Sequence, residues 1–532
     1  MVARNVLAWD LGTSGAKVGL VAASGEVLAT EFEPVELLLS KGGGAEQRPD
    51  DWWAALCRAT ERLLKRDVAP RSSIAALGVT AQWAGTVMVD AAGQPLQNAV
   101  IWMDARGASA VKRLNAGFPE VSGYALHKLW RWMRLTGGAP SHGGKDPIGH
   151  ILWLREARPL LYARAYKFLE PKDYLTFRLS GRFTATYDSI ALHWVTDNRD
   201  PTRIDYDATL LRRVGIAREQ LPDLCAAPDV IGKLLPRHAA AFGLEDGVLV
   251  MAGSPDVHSA AIGAGTTRNF ESHLYVGTSS WISCHVPAKK TDVLHSLASL
   301  PAAIPGRYLL LNSQETAGAC LTHLRDKLFF EDDELNTRAP ENAFELFDRI
   351  AARAPEGSGR LLFLPWLYGE RAPVEDARLR GGFLNYSLEH GRAHVLRAAL
   401  EGVAYNSRWL FGYIEKFIGR RIEELRFIGG GASSDLWCQI FADVLERPIL
   451  RVKAPSAANL RGAALIAFVG LGELDFDAVP ARVPIAKRFE PRSEPRALYR
   501  ELFAEFLELH AKNRAILGRL NRPLASASPK AP

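Results

Sequence analysis

"VLAWDLGTSGAKVGL", residues 6–20, decides the reading of the chain. Residues 6–9 are an apolar run that stops at Asp10, a small-residue turn follows at Gly12-Thr13-Ser14-Gly15, and residues 16–22 are extended again. In strand-to-helix phosphate loops the glycine turn feeds a helix whose N-terminus holds the anion. Here the turn joins two strands and predicts a hairpin, followed by a turn at Ser24-Gly25-Glu26 and a third strand over 27–35. Most of the phrase returns as "LYVGTSSWISC", residues 274–284, without the acid. Gly12 and Gly277 are 265 positions apart in a chain of 532, which predicts a duplicated architecture. The expected division is a first domain over 1–265, a second over 266–520, and a polar, disordered tail over 521–532.

A turn of Gly, Thr and Ser leaves backbone N–H groups and hydroxyls free to surround phosphate oxygens, and the missing Cβ lets a ligand approach. One such turn is an ordinary hairpin; two, facing each other, can hold a polyphosphate from both sides. An acid beside the first turn would repel phosphate unless a cation lay between them, so Asp10 predicts Mg²⁺, held directly or through its waters.

Composition narrows the classes. Hydrophobic residues make up 48% and charged residues 23%, and the net charge of +6 comes from Lys and Arg interspersed with acids, so no nucleic-acid partner is expected. No apolar stretch approaches the roughly 20 residues of a membrane span. The five cysteines (Cys57, Cys225, Cys284, Cys320, Cys438) are odd in number and never spaced CxxC, which predicts neither a disulfide framework nor a zinc site, and a cytoplasmic location.

Helical spacing is found over 51–65, 149–158, 171–179, 394–418, 434–445 and 496–517, while 199–236 is rich in charge and proline. Asp256 follows a strand and Gly253-Ser254-Pro255, where a helix of small residues begins; by local pattern alone it is an N-cap. Asp104 and Arg106 stand beyond a strand end, where by local pattern they form a structural ion pair with another element, and His150 reads as a helix-surface histidine.

In order along the chain, "DLGTSGAKV", "VIWMDARG", "PKDYLTFRLSG", "AGSPDVHSAAIGAG", "YVGTSSW", "LPWLYGERAP", "RGGFLNYSLEHGRAHVLRAALEGV" and "FIGGGASSDLWCQIFADVLERPI" resemble the successive motifs of the FGGY carbohydrate kinases, xylulokinase branch. The resemblance implies an α/β fold of two ribonuclease-H-like domains, as in actin and hexokinase, with a cleft between them, ATP mainly on the second domain and sugar mainly on the first. It implies that Gly12, Thr13 and Ser14 line one phosphate loop and Gly277 and Thr278 the other. Gly318, Gly430, Gly431 and Asp435 match nucleotide-side positions, and Asp256 matches the general base. Gln82, Trp83 and Asp104 match the sugar side. The implied activity is ATP- and Mg²⁺-dependent phosphorylation of a terminal hydroxyl of a ketopentose such as xylulose, or of a polyol. Glycerol, ribulose and erythritol are alternative acceptors, and a non-catalytic, actin-like nucleotide-binding sugar sensor is the rival class. Dimers are frequent in the family, which makes a homodimer the expectation.

Four departures stand out. Where the family has Gln-Met-His-Gly this chain has Gln82-Trp83-Ala84-Gly85, Val257 replaces a polar residue after the base, His150 replaces a lysine, and Asn385-Tyr386 replaces Gly and an aliphatic residue. Trp83 supplies a ring suited to stacking on a sugar's C–H face.

Overall fold

The computed structural model describes residues 4–334 and 339–521, so beyond Asn521 the expected tail lies outside the described residues. In the first half, strands β1 (Asn5–Gly12), β2 (Gly15–Ala22) and β3 (Val27–Pro34) form the antiparallel meander that the hairpin pattern predicts. Helix α1 (Pro49–Lys65), β4 (Ile74–Ala81), α2 (Pro171–Ser180), β5 (Val230–Lys233), β6 (Leu249–Met251), the two-residue β7 (Ser254–Pro255) and α3 (Asp256–Gly263) follow. The sheet order is β5-β6-β4-β1-β2-β3, with β7 also paired to β4. Strands β1, β6 and β7 all run parallel to β4.

The second half contributes β8 (Ser272–Val276), β9 (Ser280–Val286), β10 (Thr291–Asp292), β11 (Leu297–Pro301) and β12 (Tyr308–Leu311). It continues with α4 (Arg392–Ile418), β13 (Leu425–Ile428), α5 (Asp435–Leu445), β14 (Ile449–Val452), α6 (Ala458–Gly470), β15 (Ile485–Phe489) and α7 (Arg496–Leu520). Within its order β10-β11-β12-β9-β8-β13-β14-β15, the run β12-β9-β8-β13-β14-β15 repeats β3-β2-β1-β4-β6-β5 in pairing and direction. The chain order of the last strand differs: β5 precedes β6, whereas β15 follows β14.

Strand β1 is apolar without alternation because both faces of its sheet are covered. Leu7, Trp9 and Leu11 pack with Trp52 and Leu56 of α1, and the Trp9 indole donates to Thr60 Oγ1 at 3.0 Å. Val6 and Ala8 point the other way, onto Leu460, Ala463 and Ala464 of α6. Thus a helix from the second half covers the first sheet. It also crosses α3 backbone to backbone: a Cβ at Gly263 would fall 1.8 Å from the Ala458 carbonyl oxygen, and one at Gly462 1.8 Å from the Ser259 carbonyl oxygen. Only glycine permits that approach.

Two local expectations are corrected. The helix expected from residue 149 starts at Pro147 (Pro147–Ala157), proline fitting the first turn where its missing N–H costs nothing. His150 on that helix is fully buried rather than on its surface, because residues 147–152 are covered all round; its Nδ1 meets Thr86 Oγ1 at 3.2 Å, and burial pushes the ring down to about 4. The segment 199–236 is a series of short elements, among them a helix Ala208–Val214 capped by the Asp207 carboxylate.

Candidate active site

Three parallel strands end on one edge. Their register places Ser254, Thr80 and Asp10 side by side, then Pro255, Ala81 and Leu11. Beyond that row the chain delivers Asp256, Gln82 and Gly12, residues far apart in sequence, to one place. Asp10 follows Val6 and Ala8 onto the α6 face because strand side chains alternate. It lies opposite Lys17 of β2, and Asn459 of α6 hydrogen-bonds to it. Burial pushes the Asp10 carboxyl up, with Lys17 and Asn459 opposing.

The first turn is the two-residue link Thr13-Ser14. Thr13 Oγ1 donates to Gln82 Oε1 at 3.2 Å and accepts from Trp102 Nε1 at 2.9 Å, while the Thr13 carbonyl accepts from Gln47 Nε2 at 2.8 Å. Gln82 is fastened in turn, its Nε2 donating to Gln47 Oε1 at 2.7 Å and its backbone N–H to the Leu11 carbonyl at 2.7 Å. Ser14 is exposed at the tip of the turn.

Asp256 is not an N-cap: Pro255 occupies that position and Asp256 is the first helical residue of α3, one oxygen accepting the Val257 N–H at 2.8 Å. Burial first, and then the neighbouring charge of Asp10, push its carboxyl up to about 7, against about 3.9 for an unperturbed aspartate. A carboxylate poised there suits proton abstraction at neutral pH. Among the described residues no group of three His, Cys, Asp or Glu side chains is placed to hold a metal. Mg²⁺ rarely asks for one, since it keeps waters and takes one or two carboxylates together with phosphate oxygens. The buried Asp10 carboxylate, at the strand end beside the Thr13 turn and close enough for its charge to act on Asp256, fits that demand.

The second turn, Gly277-Thr278-Ser279, is one residue longer, Val276 pairing with Ser280. It is gripped by the helix start at Gly318: the Gly318 N–H donates to the Gly277 carbonyl at 2.8 Å, and those of Ala317 and Ala319 donate to the Thr278 carbonyl at 2.9 and 3.1 Å. A Cβ at Gly318 would fall 2.4 Å from the Gly277 carbonyl oxygen. Gly431 packs against Val276, where a Cβ would fall 2.8 Å from Cγ1, while a Cβ at Gly430 would meet nothing within 4 Å. Gly277, Gly318, Gly430 and Gly431 therefore gather at the end of β8. Asp435 opens α5 at the surface, its carboxylate paired with Arg451 and Lys487.

At the positions matched to the sugar side, Trp83 is 9% exposed, its Nε1 donating to the Ser189 carbonyl at 2.9 Å and its ring edge-on to His258 at 5.1 Å. Val257 packs between that cluster and the core beside α6. Asp104 is fully buried; it accepts from the Ala45 N–H at 2.9 Å and from Arg106, which also reaches Glu46 at 2.6 Å. Its oxygens are engaged within the protein, and its ion pair is with Arg106 two residues on rather than with another element; the pair with another element is Arg106 to Glu46.

Two further features escape a reading by motif. The Tyr275 hydroxyl lies over the second turn, 2.4 Å from where a Gly277 Cβ would be, and burial first, then the charges of Asp256 and Asp10, hold its proton on. Its ring stacks on Trp281 at 3.8 Å. Lys145 of the first half meets Glu315 at 3.5 Å, and Arg371 meets the same carboxylate at 3.2 Å. Tyr275 is legible as an i, i+2 neighbour of Gly277 on one strand face, but the Lys145–Glu315–Arg371 link joins positions no local pattern connects.

The family model for the N-terminal domain of the FGGY family of carbohydrate kinases matches residues 5–263, and that for the C-terminal domain matches residues 273–471. The chain is 29% identical over 506 residues to the xylulose kinase of Bacillus subtilis, covering 94% of this chain and 95% of that one. It is 25% identical over 505 residues to the gluconokinase of the same organism, covering 95% of each. Among solved structures, ligand-bound xylulose kinase from Lactobacillus acidophilus superposes with a TM-score of 0.83 at 25% identity, covering 97% of this chain and all of that one. With paired sheets of one topology, a shared helix layer and both family models matched in register, the chain belongs to the FGGY family of carbohydrate kinases.

Proposed function

We propose that the chain transfers the γ-phosphoryl group of ATP to a terminal hydroxyl of a ketopentose-like sugar or polyol, with residues 1–265 holding the acceptor and 266–520 the nucleotide. The observation that carries this is Asp256: a carboxyl pushed up to about 7, at the end of β7, beside Asp10 and level with the Thr13 turn. Its role is to take the proton from the acceptor hydroxyl as the P–O bond forms. Phosphoryl transfer asks a protein mainly for position and charge neutralisation. The N–H groups of Thr13, Ser14, Thr278 and Ser279 donate to no other described residue, which supports their use on phosphate oxygens. Asp10 would hold Mg²⁺, directly or through its waters, which when bound neutralises phosphate charge. Lys145, Glu315 and Arg371 connect the two halves and would keep the acceptor and nucleotide sides in register.

Acceptor identity is proposed as xylulose-like by likeness to the two xylulose kinases above, with Val257 and Ala84 removing two hydrogen-bonding side chains and Trp83 adding apolar surface. Rejection of a wrong polyol rests on such bonds. A coupled ADP-release assay with Mg²⁺-ATP over xylulose, ribulose, gluconate, glycerol and erythritol tests the reading. Turnover on a ketopentose that is lost in Asp256→Ala is expected. Nucleotide binding by calorimetry without turnover on any acceptor would favour the sensor instead.

A further inference from the structure

Behind the turn Gln82–Gly85 lie buried ionisable groups that the proposed chemistry leaves without a task. Glu170, the residue before α2, is 1% exposed; one carboxyl oxygen accepts the Gly85 N–H at 2.9 Å. The other has no hydrogen-bond partner and lies 3.9 Å from Nδ1 of His193, equally buried, neither of whose ring nitrogens has a partner. Burial, reinforced by the charge of Asp173, pushes Glu170 well above the usual carboxylate range. Burying such a pair is costly where apolar side chains would fill the space, so what the pair holds matters.

It holds a strained turn. Ala84 has φ +61°, a left-handed conformation that a residue with a Cβ keeps only where its surroundings impose it. Gly85 lies flat on the start of α2, a Cβ there falling 2.5 Å from Pro171 Cγ. On the other side the Trp83 indole is fastened to the Ser189 carbonyl, at the head of the 3₁₀ turn Ser189–His193 that ends at Glu170's neighbour. Both flanks of Ala84 are thus anchored to one unit, Glu170 with residues 189–193.

We infer that Glu170, backed by His193, is a positioning residue for acceptor selection: by fixing the Gly85 N–H it sets the Ala84 bend and with it the place of Trp83. The inference rests on the acceptor-side reading of this turn. Glu170 bonds to Gly85, at the end of the segment away from Gln82, and Gln82 is held to the Thr13 turn by its own bonds to Thr13, Gln47 and Leu11, so the loss of Glu170 is expected to act on the acceptor side. Glu170→Met, similar in shape without a carboxyl, is expected to raise KM for the best acceptor about tenfold while kcat and KM for ATP stay within about twofold, a factor of ten being the effect of one well-placed hydrogen bond. Glu170→Gln, which keeps an accepting oxygen, is expected to restore acceptor KM to within about twofold of wild type. Hydrogen exchange over residues 82–87, read by mass spectrometry, is expected to speed up in Glu170→Met and not in Glu170→Gln. An unchanged acceptor KM in Glu170→Met, an equal rise in both KM values, or unchanged exchange overturns the inference, as does a Gln variant that fails to fold. Should the wild-type chain turn over no acceptor, the phosphoryl-transfer reading fails, while exchange over 82–87 still decides whether Glu170 holds the turn.

Discussion

The two hairpin turns begin from nearly the same words and are built differently. The first is two residues long, carries an acid two positions before its Gly12, and is held by side chains: Gln82, Trp102 and Gln47 all bond to Thr13. The second is three residues long, has Tyr275 at the position where the first has Asp10, and is held by backbone, three N–H groups of a helix start gripping its carbonyls. The same sheet topology thus yields a half that concentrates charge, at Asp10 and Asp256, and a half that offers close-packed glycine. A phosphoryl transferase has use for that division: the base and cation need carboxylates, whereas a nucleotide needs room against the main chain.

The comparison breaks first at Asp256. If the charged half carries the chemistry, Asp256→Ala lowers kcat by about 10²–10⁴-fold, the usual span for a lost general base, with KM for ATP little changed; the ADP-release assay reads both. Next comes the crossing that joins the halves. Gly462→Ala would drive a Cβ to 1.8 Å from the Ser259 carbonyl oxygen, and we expect a loss of about 3 kcal/mol or more, seen as a lower midpoint in urea unfolding.

The backbone half is probed by Gly318→Ala. Its Cβ would fall 2.4 Å from the Gly277 carbonyl oxygen and displace the second turn, so KM for ATP is expected to rise about tenfold with acceptor KM unaffected. Equal effects on both substrates would erase the proposed division.

The coupling between the two carboxylates gives a pH signature. Asp256, lifted to about 7, must lose its proton to act, so kcat/KM falls as pH drops through that value. Asp10's negative charge is one cause of the lift, and Asp10→Asn is therefore expected to move the acid limb to lower pH in whatever activity it retains. Stability has the matching sign: the folded carboxyl binds its proton more tightly than the unfolded one, so stability declines as pH rises from about 4 towards 7. Asp256→Asn removes that penalty and should raise Tm at pH 8 more than at pH 4. The smallest effect is expected at Asp435, whose carboxylate is about half exposed and already paired with Arg451 and Lys487; Asp435→Asn should change stability by less than about 1 kcal/mol and KM for ATP by less than about threefold.

Much of the fold was legible because it rests on local rules. A glycine turn leading to a strand gave the hairpin, and the 265-residue spacing gave the duplication. The helices at Pro147, Pro49 and Arg392 each start two residues before their helical spacing does, because the first turn carries no apolar periodicity to read. The burial of His150 is illegible for a different reason: a helix buried on every side has no polar face for a periodic pattern to reveal.

Sequence by itself determined the strands, the turns that end them and the family, since each follows from side-chain period, glycine conformation and motif order within short windows. Only the tertiary structure decided that Asp10 lies beside Asp256, that α6 of one half covers the sheet of the other, that Asp104 spends its oxygens on Ala45 and Arg106, and that Glu170 stands behind Gly85. These are contacts between positions tens to hundreds of residues apart, set by parallel strand register and by glycine crossings. A carboxyl's proton affinity depends on the burial and charges such contacts create, which no local stretch of sequence contains.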